Sequence, residues 1–177
     1  LLFAEGAARL VLPPQQIVEI EPALTRSTRP VAVEERNQEH GIDVLIDWSG
    51  EHGIRLHPNV QAPIFNHRLS HHDVVITTNS LGLRHSELGP KSDDEFRVLV
   101  LGDSITFGDY VAFEDTYPAM LERRLEGPRK KVTVVNAGLP GASTSNELSY
   151  YLEIAEAVDP DLVLVGMFLN DAQSSDR

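Results

Sequence analysis

The run Arg97-Val98-Leu99-Val100-Leu101-Gly102-Asp103-Ser104-Ile105-Thr106-Phe107-Gly108 constrains the fold of this chain more than any other stretch. Val98 to Leu101 is apolar without polar alternation, the pattern of a parallel strand covered on both faces. It ends on a serine flanked by glycines, and Gly102 and Gly108 permit a tight change of direction there. At the carboxyl edge of an open α/β sheet, where such folds bind their ligands, Ser104 is a candidate nucleophile whose own N–H joins the first turn of the following helix. The same residues also fit an ordinary strand-to-helix turn in which Ser104 is only the N-cap.

Two later segments repeat the pattern. Lys131 to Thr144 reads as a β-branched strand followed by a loop, Gly138-Leu139-Pro140-Gly141, that opens a helix, and Asp161 to Asp171 reads as a strand ending in Asn170-Asp171. Helices are predicted between them. Asp115-Thr116-Tyr117-Pro118 supplies a capping residue and a first-turn proline, with Tyr117, Met120, Leu121 and Leu125 at helical spacing. Thr144-x-x-Glu147 has the form of a capping box, with Leu148, Tyr151, Leu152 and Ala155 on one stripe, and Asp159-Pro160 ends that helix. Tyr117 and Tyr151 are read as core. The order strand, helix, strand, helix, strand argues for right-handed crossovers and a parallel sheet.

Taken together, the three blocks resemble the SGNH, or GDSL-type, hydrolase family. The resemblance implies a flavodoxin-like three-layer α/β core. It implies Ser104 as nucleophile, with its own N–H, the backbone N–H of Gly141 and the side-chain amide of Asn170 forming an oxyanion hole. A tetrahedral acyl intermediate needs several donors aimed at one oxygen, and a glycine lets backbone approach it closely. Asp103 is expected to brace the turn and Asp171 to orient its strand end. Neither a metal nor an organic cofactor is required. The implied activity is that of a serine esterase working through an acyl-enzyme on a small-molecule, carbohydrate or lipid ester. A carbohydrate O-acyltransferase and a noncatalytic binding module on the same fold are the alternatives.

The sequence departs from the family pattern in three places. Ile105 stands where the GDSL name has leucine. Phe168 occupies the position two before Asn170 where the family usually has glycine. The Asp-x-x-His block that carries the family's catalytic Asp and His does not occur before Arg177, and all seven histidines, His40, His52, His57, His67, His71, His72 and His85, precede Ser104. A nucleophilic serine needs a base, so that block is expected downstream of Arg177, with the parallel sheet left incomplete.

Residues 1–90 differ in character from 91–177. Leu1 to Pro14 is a short apolar or amphipathic segment interrupted by Glu5 and Arg9, too brief to span a bilayer by itself. Glu21 to His40 is polar and linker-like. Strands are predicted at Ile42 to Ile46 and Val74 to Thr78, in a small β-rich, antiparallel accessory region. Ile76 to Arg84 resembles a leader that precedes the GDS block in bacterial extracytoplasmic members of the family, many of them anchored. By that resemblance Leu1-Leu2-Phe3-Ala4 is the tail of an anchor or signal segment upstream of Leu1, and the protein is expected in the periplasm or cell envelope. An ordinary amphipathic helix remains the alternative.

Composition narrows the classes further. Hydrophobic residues make up 41% of the 177 positions, enough for a real core. The net charge is −12. Seven basic residues stand against eleven acidic ones before Lys91, and eight against sixteen from Lys91 on. That balance excludes the basic footprint of sequence-independent nucleic-acid binding. Cysteine is absent, so no disulfide framework exists. His67, His71 and His72 match no standard zinc spacing and read as a solvated loop.

Overall fold

An eight-residue strand buried at every position but the half-buried Phe96 needs neighbours on both sides and cover on both faces, and the strand from Glu95 to Gly102 has them. The computed structural model describes residues 45–47, 53–65, 70–127 and 131–168. In chain order its elements are β1 (Ile46–Asp47), β2 (Arg55–Leu56), β3 (Gln61–Ile64), β4 (Val74–Thr77), β5 (Glu95–Gly102), α1 (Ser104–Phe107), a 3₁₀ turn (Phe113–Asp115), α2 (Tyr117–Leu125), β6 (Lys131–Gly138), α3 (Thr144–Val158) and β7 (Leu162–Gly166).

Strands β6, β5 and β7 form a parallel sheet in that spatial order. The chain moves from β5 outward to β6 and then crosses back over β5 to β7. Strand order therefore reverses at β5, and such a reversal opens a crevice at the carboxyl ends of the strands. Pleating sends Leu99, Leu101, Val135 and Ala137 to one side, where Tyr150, Ile154 and Val158 of α3 cover them. Val98, Val100 and Val134 point to the other side, where Leu121 of α2 packs. The result is a three-layer α/β core, as the alternation of elements predicts.

The accessory strands are antiparallel, β1 with β2 and β3 with β4. The candidate strand Val74 to Thr78 appears as β4. Of Ile42 to Ile46, only the last two residues are described, and Ile46 lies in β1. Strands β2 and β3 have no clear sequence signal, being two and four residues long with Pro63 inside β3. Leu56, Ile64, Ile76 and Leu83 from this region are buried in the same cluster as α3. The segments Leu1 to Pro14 and Glu21 to His40 lie outside the described residues. Among the described residues, no helix is long and apolar enough to cross a membrane.

Both predicted helices form, but their buried faces differ from the apolar stripes in the sequence. In α2 the buried residues are Pro118 and Ala119, while Tyr117, Met120 and Leu125 are exposed and only Leu121 of that stripe packs inward. In α3 the buried stripe is Glu147, Tyr150, Ile154 and Val158, whereas Leu148 and Leu152 are 58% and 70% exposed. Both stripes of α3 have helical spacing, so periodicity alone does not choose between them. The outward stripe borders an open apolar trough of about 520 Å³, shared with Leu101, Val163 and Val165 of the sheet. Tyr117 is thus not core, and Tyr151 is only partly buried against it.

The three parallel strands end in one row of glycines, Gly138 and Gly166 standing opposite Gly102. The row makes room for α1. A Cβ on Gly138 would overlap the backbone of Phe107, and one on Gly102 would overlap the Thr106 hydroxyl. One on Gly166 would lie 2.6 Å from Tyr117 Oη and 2.7 Å from Thr106 Oγ1. Gly138→Ala should therefore destabilise the protein by about 3 kcal/mol or more through overpacking against backbone. Gly89→Ala, where a Cβ would meet nothing within 4 Å, should lie within about 0.5 kcal/mol of wild type. Urea melts of the two variants check the contrast.

Candidate active site

Ser104 is the first helical residue of α1, and the N-cap is Asp103. Asp103 Oδ1 accepts from Ile105 N at 2.9 Å, the brace expected of it. Asp103, not Ser104, is therefore the cap, and the Ser104 hydroxyl is not needed to close the helix. The half-buried Ser104 also keeps its backbone N–H uncommitted to the helix, since the first amides of any helix lack an intrahelical acceptor.

The loop after β6 brings Gly141 to the same edge. Leu139 N donates to Gly102 O at 2.9 Å, which ties the loop to the residue two before Ser104. Ala142 N then donates to Leu139 O at 3.1 Å, and Gly141 has φ of 75°. With Pro140 before it, this is the sequence and geometry of a type II turn. The turn's hydrogen bond uses the N–H of Ala142 and leaves that of Gly141 as a donor at the sheet edge. Helix α3 follows with Ser143 as its N-cap: Asn146 Oδ1 accepts from both Ser143 N and Ser143 Oγ. The capping box thus begins one residue before Thr144, and Glu147 is buried instead of capping. Asn170 and Asp171 lie outside the described residues. Their strand, β7, is in register with β5 up to Gly166 opposite Gly102.

Several residues that shape this edge carry no obvious signal in the sequence. Asn136, fully buried in a β-branched strand, donates from Nδ2 to Thr106 O at 3.0 Å and accepts at Oδ1 from Gly138 N at 2.9 Å. A lone amide inside a buried run was the available clue, because a buried amide has to be satisfied. Thr106 Oγ1 lies 2.9 Å from Tyr117 Oη and joins α1 to α2. Arg84, 1% exposed, reaches the carbonyls that follow α1.

The described histidines are placed elsewhere. His85 Nδ1 is 3.0 Å from Ser86 O, and its ring packs edge-on against Phe113 with centroids 5.7 Å apart. His57, His71 and His72 are exposed, while His40, His52 and His67 lie outside the described residues. Among the described residues, no group of three or more His, Asp or Glu side chains is arranged to hold a metal ion.

The result is a three-layer α/β domain with a serine on the turn after its central strand and a glycine turn beside it, both at the carboxyl edge where open α/β sheets bind ligands. Comparison with known sequences finds a likeness over the second half of the chain. Residues 100–177 match the GDSL-like lipase/acylhydrolase family. An arylesterase of Vibrio mimicus is 33% identical over 84 residues, which are 48% of this chain and 42% of that protein. The chain is thus similar to that family over the segment that starts at Val100, and it spans less than half the length of that relative.

Behind the turn, Asp109 is buried with its Oδ1 unpaired among the described residues. Burial is the main cause that pushes its carboxyl up to about 6 from 3.8; the Arg84 charge opposes the rise and that of Asp103 adds to it. A folded-state value above the unfolded one means stability that is complete below about pH 4 and lost as pH rises through about 6. The loss amounts to about 3 kcal/mol. Asp109→Asn should therefore be more stable than wild type at pH 8 by up to about 3 kcal/mol, with the difference vanishing near pH 4. Thermal melts across that range check it, and a constant difference would show that Asp109 titrates normally. Glu95 acts in another window: burial raises its carboxyl, but bonds from Thr133, Arg97 and Lys131 outweigh this and bring it to about 2. Its contribution is lost only as pH falls from 4.5 toward 2.

Proposed function

We propose that the protein hydrolyses carboxylic esters through a seryl acyl-enzyme, with Ser104 as nucleophile. The observation that carries this reading is the pairing of Ser104, its hydroxyl released from capping by Asp103, with the Gly141 turn suspended from Gly102 O. Ser104 Oγ attacks the ester carbonyl and gives up its proton to a base. The oxyanion accepts from the N–H groups of Ser104 and Gly141 and from the Asn170 side-chain amide. The alcohol leaves with a proton, and water then releases the acid and restores the serine. The base is a histidine outside the described residues, in the Asp-x-x-His block that the family resemblance implies. The relative's description as an arylesterase favours an ester with a good leaving group as the first test substrate.

In the complete protein, a fluorophosphonate probe should label Ser104, and Ser104→Ala should abolish both labelling and p-nitrophenyl acetate turnover. Labelling at another residue, or turnover that survives the substitution, refutes the assignment. Loss of one oxyanion donor costs about 100- to 1000-fold in kcat, so Asn170→Ala should lower kcat by that order with KM nearly constant. A change confined to KM would instead make Asn170 a substrate-binding residue.

A further inference from the structure

We infer that Arg84, outside the segment that matches the family, is a positioning residue for Ser104; the inference rests on the esterase reading above. Helix α1 has only four residues, so its last carbonyls have almost no intrahelical donors. Gly108 N takes Ser104 O at 2.8 Å, and Asn136 takes Thr106 O. Asn136 Nδ2 also reaches Phe107 O at 3.4 Å and Val111 N donates to Gly108 O at 3.1 Å, and the Arg84 guanidinium completes the set. Nη1 donates to Phe107 O at 2.7 Å and Gly108 O at 2.5 Å, and Nη2 donates to Val111 O at 2.7 Å. Its Cζ lies 5.1 Å from the Phe107 ring centroid, within range of a cation–π contact. One planar fork thus fixes three carbonyls and a ring directly after the nucleophile's helix.

The arm that presents Arg84 is itself rigidly built. Asn79 Oδ1 accepts from Leu81 N and Leu83 N at 3.0 and 2.9 Å, while Asn79 Nδ2 donates to Ser86 O at 3.1 Å. Gly82 adopts φ of 74°, and a Cβ there would lie 2.5 Å from Leu56 O. Asn79-Ser80-Leu81-Gly82-Leu83-Arg84 is therefore a device that delivers a guanidinium under the turn. A lysine cannot replace it, because an ammonium is a point charge and not a fork of fixed donors. Loosening this support shifts Ser104 relative to the Gly141 turn, which is anchored separately through Leu139 N on Gly102 O. Misplacement of a reacting group by about 1 Å is worth about 100-fold in rate.

The experiment uses the complete protein. Wild-type turnover of p-nitrophenyl acetate is measured first, and its absence would count against the esterase reading alone. Arg84→Lys and Arg84→Met should lower kcat by about 10- to 100-fold with KM within about threefold. The control is Val134→Ala, a cavity in the α2-side layer, which should lower Tm while kcat below the melt stays at the wild-type value. Wild-type kcat in Arg84→Lys, a loss confined to KM, or a loss equal to that of a Val134→Ala protein of matched Tm overturns the inference. Should neither Arg84 variant fold, Asn79→Ala keeps the guanidinium and loosens only the arm; a lower kcat at unchanged KM supports the inference and an unchanged kcat overturns it. Amide exchange of the peptide spanning 103–111 decides the matter independently of turnover. Faster exchange there in the Arg84 or Asn79 variant, with β5 still protected, supports the role, and unchanged exchange overturns it.

Discussion

The glycine row formed by Gly138, Gly102 and Gly166 is the constraint on which the rest of the candidate site depends. A parallel sheet normally carries a layer of side chains across its last row, and any such layer would hold α1 away from the strands. With hydrogen in place of that layer, Thr106 and Phe107 settle directly on the strand ends. The backbone then turns within two residues of Gly102, and Ser104 sits at the rim instead of a turn of helix above it. The same closeness brings Leu139 N within reach of Gly102 O, so the glycine turn and the serine share one anchor.

The two ends of the sheet are built on opposite electrostatic plans. At the amino end the buried Glu95 is bonded by Arg97 and Lys131, Arg97 also donates to Val158 O and Gly89 O, and Asp161 accepts from the Arg97 backbone. These buried charges are matched, as burial demands. At the carboxyl end Asp103 Oδ2, Asp109 Oδ1 and Arg84 Nε are buried without partners among the described residues. Such unsatisfied groups oppose folding. The matched framework at the amino end has to offset that cost.

The framework was legible because its signals are local. Buried runs at Val98 to Leu101 and Val132 to Val135, the proline in the first turn of α2, and Asp159-Pro160 after α3 each specify an element without help from distant residues. Ser104 and Gly141 were legible for the same reason, as turn residues at strand ends. What escaped the sequence depends on contacts far along the chain. Two apolar stripes compete on α3, and it is packing against the sheet and the accessory strands together that buries Tyr150 and Ile154 and leaves Leu148 and Leu152 out. The two-residue strands β1 and β2 exist because they pair with each other, not because two residues carry a periodicity. Arg84 looks like any solvated arginine until Phe107, Gly108 and Val111 are placed around it.

That last case explains why a charged residue occupies the space under the turn. Burial lowers the Arg84 guanidinium to about 10 from 12.5, so it stays charged at neutral pH despite the cost of desolvation. An apolar side chain of similar size would avoid that cost. It would also take the donor from Val111 O and leave Phe107 O with only a 3.4 Å bond from Asn136 and Gly108 O with only that from Val111 N, and a buried acceptor without a donor costs about 1–3 kcal/mol. It would further deprive the buried Asp109 of the cation that opposes its rise in pKa. Arginine is the side chain that resolves both problems at once, with several donors in one plane and a charge that persists when buried. The turn bearing Ser104 is therefore completed by a residue that belongs to the β4–β5 connection, and the geometry of the sheet's carboxyl edge is set jointly by the strands that end there and by the arm that reaches under them.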